Sequence, residues 1–263
     1  MTLRFHTVAS WLLAAWALTG LAGCALAPVS PDSTPPVGAA ASRWAGEGVP
    51  DDPMRPVVWE HLPLPGKAAT RFVYERKDGR DVVTAVAESS VSMKRRRLDI
   101  APQDLGQVRF SWRVDDLIAK ADMGRRDLDD SPVRIVLVFD GDRSRLSPAD
   151  AMLSELARAL TGEELPYATL MYVWCNARAP GEVILNPRTS RIRKLVVESG
   201  PRNLGQWLAY ERDVRADYER AFGEAPGALR GVALMTDSDN TRSVARAWYG
   251  PVRLSAETLA RRP

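Results

Sequence analysis

The chain has 263 residues, 45% hydrophobic and 26% charged, with a formal net charge of +3. That balance is the one expected of a globular protein with a single large core or two small ones. His6 and Cys24 fall in the N-terminal leader, so the rest of the chain has one histidine, His61, and one cysteine, Cys175. This excludes a zinc centre of the usual His and Cys type and any disulfide within the chain. Charges of both signs are interspersed, and the two basic clusters, Lys94-Arg95-Arg96-Arg97 and Arg191, Arg193 and Lys194, read as solvated strand faces. A nucleic-acid partner, which needs a concentrated basic face, is not expected.

In chain order, Arg4 and the apolar stretch from Trp11 to Leu18 form the charged and hydrophobic regions of a secretory signal. The stretch is too short to span a bilayer. Leu21-Ala22-Gly23-Cys24 resembles a bacterial lipobox. The resemblance implies cleavage before Cys24, acylation of its thiol and new amine, and a membrane as partner, since several acyl chains hold far better than one. Ala25 in place of Asp implies, by the same likeness, an outer-membrane lipoprotein of the cell envelope. Residues 1–23 are thus expected to be the signal and 24–56 a lipidated cysteine and tether. Pro28, Pro31, Pro35, Pro36, Pro50, Pro53 and Pro56 give the tether a reach of up to roughly 100 Å if extended.

A single β-sandwich domain is expected over 57–255, with 256–263 as a tail. Residues 71–76 and 81–86 flank Asp78-Gly79, a hairpin signal because Gly accepts positive φ. Val108, Phe110, Trp112 and Val114 alternate with polar residues as in a half-buried strand. Residues 133–139 and 169–175 are nearly all apolar and predict central strands buried on both faces. Further strands are expected at 182–186, 192–198, 229–236 and 244–254, nine or ten in all. Ser147 as N-cap, Pro148 and Asp150 open a helix on which Met152, Leu153, Leu156 and Leu160 recur before Gly162. A shorter helix carries Val214, Tyr218, Ala221 and Phe222 and stops at Gly223. Strands and helices do not alternate, which disfavours a parallel doubly wound sheet. The expected fold is mainly β, a sandwich or jelly roll with two short helical insertions.

Two polar constellations are candidates for chemistry. Asp115, Asp116, Asp127, Asp129, Asp130, Asp140 and Asp142 cluster at strand ends, where Asp is also an ordinary turn residue. The run from Thr236 to Thr241 carries Asp237, Asp239 and Asn240, which suit a polar ligand. No cofactor is required, although Asp237 and Asp239 are candidate ligands for a structural calcium ion; the glycine and distal glutamate of an EF-hand are missing. A Cys175–His61 catalytic pair is disfavoured, because Cys175 sits in an apolar strand pattern. Trp112 and Trp174 share faces with apolar neighbours, whereas Trp207 and Trp248 lie in more polar company and are expected to be more exposed.

The order Phe110–Val114, Asp129–Ile135, Tyr172–Trp174, Asp213–Tyr218 and Gly231–Thr241 resembles the bacterial domain of unknown function family 3047 over roughly 57–254. That family name implies a fold and no activity. The closing Thr-Asp-x-Asp-Asn-Thr strand pair also resembles, more loosely, galactose-binding-like jelly-roll modules. The reading that follows is a lipid-anchored, non-catalytic module for a glycan or other polar envelope ligand. Its ligand residues would be Asn176, Asp237, Asp239, Asn240 and Trp248, on loops after Trp112, Phe139, Trp174 and Met235 gathered at one edge. Two alternatives stand beside it: a carboxylate-based glycan hydrolase using Asp130 and Asp237, and an assembly lipoprotein that binds another envelope protein.

Overall fold

The computed structural model describes residues 59–255. The expected signal at 1–23, the expected lipidated Cys24 and tether, and the expected tail from 256 lie outside the described residues. In chain order the elements are β1 (Glu60–Pro63), β2 (Arg71–Lys77), β3 (Arg80–Glu88), β4 (Val91–Ile100) and β5 (Gln107–Val114). Then come β6 (Ser131–Phe139), α1 (Pro148–Thr161), β7 (Ala168–Cys175), β8 (Val183–Leu185) and β9 (Ile192–Ser199). The remainder is β10 (Leu208–Asp213), α2 (Val214–Phe222), β11 (Leu229–Asp237), β12 (Val244–Tyr249) and β13 (Arg253–Ser255).

The strands form two sheets. One runs β1-β4-β11-β6-β7-β9-β8, the other β10-β5-β12-β3-β2 with β13 paired to β5. All pairings are antiparallel except β7 with β9. The mainly β fold with two helices is as expected, and the described residues hold thirteen strands rather than nine or ten. The additional ones have physical reasons to be quiet in sequence. β4 carries the Lys94–Arg97 run, β1 and β10 are short edge strands, and Gly250-Pro251 separates β12 from β13.

Alternation builds the core. Val108, Phe110, Trp112 and Val114 of β5 face Val133, Ile135, Leu137 and Phe139 of β6 and Leu170, Tyr172 and Trp174 of β7 in one buried cluster between the sheets. The intervening residues of the larger sheet look outward, and they too are apolar: Val136, Val138, Met171, Val173, Val196, Ala233 and Met235. A strand apolar on both faces needs a second cover. At one end that cover is the segment between β5 and β6, whose Met123 joins this outer cluster. At the other end it is α1.

His61 and Cys175 are far apart in this layout. β1 and β7 are four ladder steps from each other, about 19 Å. The His61 ring bonds the Ser92 hydroxyl and packs edge-on against Phe72, while Cys175 is buried in the outer cluster.

Candidate functional site

The acidic residues singled out in the sequence do meet, at the end of the sandwich where β6 begins and β11 ends. Carboxylate oxygens of Asp130, Asp237 and Asp239 lie within 4.8 Å of one another. What surrounds them decides what they do. Arg134, fully buried on β6, donates to both oxygens of Asp237 at 3.2 and 2.9 Å and also to Asp129. Lys194, fully buried on β9, donates to Asp129 at 2.6 Å and to the Met123 carbonyl. Ser131 N–H donates to Asp237. Asp130 accepts from the backbone N–H groups of Asn240 and Thr241 and from both their side chains. Lys67 pairs with Asp239.

Charge titration follows burial. Desolvation pushes the Asp237 carboxyl up to about 7 against the pull of Arg134, with Asp130 and Asp129 adding to the rise. Burial and the repulsion of Arg134 bring Lys194 down to about 8, although Asp129 opposes the change. Asp129 stays low because its two cations outweigh its burial. A calcium ion wants six to eight oxygen ligands. Every carboxylate of this trio already receives donors from the protein, Asp237 from Arg134 and Asp239 from Lys67 among them. The set fits a structural charge network and not a resident metal.

The other expected site residues are similarly engaged. Asn176 donates to the carbonyls of Ile118 and Ala121 and so holds the β5–β6 segment in place. Asn240 donates to the Asp129 carbonyl and to Asp130. Trp248 is 5% exposed, contrary to the expectation of an open face, because Lys77 lies 4.5 Å and Arg113 5.7 Å from its ring centroid. Their stems cover the ring that a sugar would stack on. The four loops do not share one edge either. β6 runs antiparallel to β7 and β11, so the loop after Phe139 lies at the opposite end, where Asp140 bonds Ala228 and Arg230.

The open site is elsewhere. A groove of about 690 Å³ runs between α1 and the outer face of the larger sheet. Its floor is Val136 and Val138 of β6, Gly231 and Ala233 of β11 and Met93 of β4; its roof is Leu153, Leu156 and Leu160 of α1. Leu156 is 55% and Leu160 69% exposed. The helix is pinned at its ends and at the buried Ser154, which accepts from Arg143. Near its start, the buried Asp150 accepts from Thr189 and Ser190 and from its own N-cap, Ser147. Just past its end, Glu163 accepts from Arg95 and Arg97 of β4, which hold its carboxyl down at about 2. Small residues at 231 and 233 let the floor fall away beneath it. The helical spacing of the leucines was legible in the sequence, and so was the doubly apolar β6. That the two leave a gap was not.

These features define the class of protein: a two-sheet β-sandwich with a helix strapped over an apolar groove. The chain belongs to the family described as "Protein of unknown function (DUF3047)", whose model matches residues 57–253. No curated protein matches it. Among solved structures it is similar to a family 11 carbohydrate-binding module of the cellulosomal cellulase Lic26A-Cel5E of Clostridium thermocellum. The two are 10% identical over 80% of this chain and 95% of that one, with a TM-score of 0.38. It is also similar to the xyloglucanase domain of NopAA, a type three effector from Sinorhizobium fredii, solved with cellobiose. There the identity is 6% over 76% and 98% of the two chains, with a TM-score of 0.38. Likeness at that level carries no ligand across.

Proposed function

We propose that the protein is a lipid-anchored module of the bacterial cell envelope that binds an apolar ligand without transforming it. The groove under α1 carries this reading. Its volume falls in the range of small-molecule sites, about 300–1,000 Å³, and its walls are aliphatic. Anchoring is supported by the Leu21–Cys24 motif and the proline-rich tether, and an outer-membrane address by Ala25. Binding is favoured over hydrolysis because Asp130 and Asp237, the acids expected of a hydrolase, are 0% and 3% exposed and already bonded. All described elements begin after residue 58, so a chain started at Ala25 keeps the whole described fold. Titrating that chain with Nile red, a neutral apolar dye, should give saturable fluorescence that Leu156→Asp weakens about ten-fold or more. A dye that binds both proteins alike, or neither, removes the reading.

A polar envelope ligand remains a second reading on one observation. A shallow cavity of about 420 Å³ where β10 meets β5 is lined by Arg80, Arg109, Ser111, Tyr210, Glu211 and Arg253. The Arg, Ser and Glu side chains are of the types that bond a glycan's hydroxyls, while the Tyr210 ring is itself stacked on Phe110. Thermal denaturation with envelope polysaccharides tests it, since a ligand at about a hundred times its Kd adds roughly 2.7 kcal/mol. An unmoved midpoint eliminates it.

A further inference from the structure

We infer that the groove under α1 takes a single-chain carboxylate amphiphile, with its acyl chain along the helix and its carboxylate received by Arg95. The inference rests on the groove being a ligand site, as proposed above. Three properties of the walls select the chain. The floor strands β4, β11 and β6 each have a neighbour on both sides, so apart from the irregularity between Leu229 and Gly231 their backbone groups are spent in the ladders. The backbone of α1 is likewise spent internally along its length. A peptide or a sugar would therefore bury N–H, C=O or hydroxyl groups without partners, whereas a hydrocarbon chain has none to satisfy. The lining contains no aromatic ring on which a planar ligand or sugar face could stack. Leu153 to Leu160 spans two helical turns, about 10.5 Å, a length along which an extended hydrocarbon chain can lie.

The head group follows from Arg95, the cation of the groove wall. Its terminal nitrogens donate to Glu163 and Glu60, but its Nε–H is buried with no hydrogen-bond partner. A buried donor left unmade is a costly state that an incoming acceptor relieves. Glu163 is about half exposed, so it can swing into water while Arg95, 16% exposed, stays in the wall. Glu164, the other carboxylate of the lining, is paired with Arg143, so Arg95 and Arg97 then face Glu60 with one positive charge in excess, which a carboxylate balances. Charge-assisted bonds of guanidinium to carboxylate are the strong ones.

Displacement of Nile red from the chain started at Ala25 tests this, with decanoic acid, dodecanoic acid and decanol below their micellar concentrations. Decanoic acid should displace the dye at about one-tenth the concentration of decanol, and dodecanoic acid should gain about a further ten-fold. Arg95→Gln removes both the charge and the Nε–H and should bring acid and alcohol to within about two-fold, whereas Arg95→Lys should keep part of the acid's advantage. Glu163→Gln should improve the acid alone. If acid and alcohol compete equally in the wild type, or if Arg95→Gln preserves the preference, the head-group assignment is overturned while the groove stands as an apolar site. If added methylenes bring no gain, the acyl chain is overturned. If the dye does not bind, both readings fall together.

Discussion

Arg134 and Asp237 form an ion pair at 2.9 Å between neighbouring strands, on the outer face of the larger sheet, with 2% and 4% of their side chains exposed. Asp129 holds the same guanidinium at 3.1 Å from the covering segment and also binds Lys194. The network therefore fastens the β5–β6 segment onto the sheet. Breaking a buried pair leaves an uncompensated charge, at a cost of about 3–5 kcal/mol. Arg134→Met should lose that much in urea unfolding, and Arg134→Met with Asp237→Leu should lose less than the single change. A double variant less stable than the single one would contradict this.

The same pair sets a pH dependence. Asp237 sits at about 7 in the folded protein, through burial, and near 3.9 when unfolded. The native state thus holds that proton more tightly. The contribution is fully present below about pH 4 and is lost as pH rises through 7. Asp237 alone gives a limiting slope of about −1.4 kcal/mol per pH unit inside that window. Asp237→Asn should remove this component from the stability–pH curve; identical slopes for both proteins would mean that Asp237 is ionised throughout.

Asp130 is a loop clasp. It receives four hydrogen bonds from Asn240 and Thr241, two of them from backbone N–H groups. Asp130→Ala should cost about 2–4 kcal/mol, taking about 1 kcal/mol per bond. Amide exchange at 240 and 241 should quicken by more than the global loss of stability accounts for. Protection that persists at these two amides would show that the loop holds itself.

Trp248→Ala distinguishes core from contact. The ring is covered by Lys77 and Arg113, so its removal should cost about 3–5 kcal/mol and lower the melting temperature. A variant of unchanged stability would return Trp248 to the surface.

Leu156→Asp should behave in the opposite way. The side chain is more than half exposed, so stability should stay within about 0.5 kcal/mol of the parent while dye binding falls. Loss of folding would mean that the leucines close the groove themselves.

Much of the sandwich was written locally. Period-two alternation in β5, unbroken apolar runs in β6 and β7, Asp78-Gly79 between β2 and β3, and the caps of α1 at Ser147 and Gly162 each follow from residues a few positions apart. β4 showed in the sequence only as the basic strand face at Lys94–Arg97, without bounds, because its pairing with β11 is set far along the chain. The site residues were harder. Asp130, Asp237 and Asp239 were chosen for their chemistry and do come together, but whether a carboxylate is free or bonded depends on partners as distant as 172 residues, as for Lys67 and Asp239.

By itself, then, the amino-acid order determined the mainly β class, the two helices and the family. These depend on short-range periodicity, capping and composition, which act before any long-range contact forms. Only the tertiary structure decided that the acidic cluster is internally neutralised, that Trp248 is covered, and that α1 stands off the sheet over an apolar groove. The spacing of two elements is set by the sum of side-chain volumes between them and by anchors at their ends. Here those are Gly231 and Ala233 below, Asp150 at one end of the helix and Glu163 at the other, residues that meet only once the chain is folded.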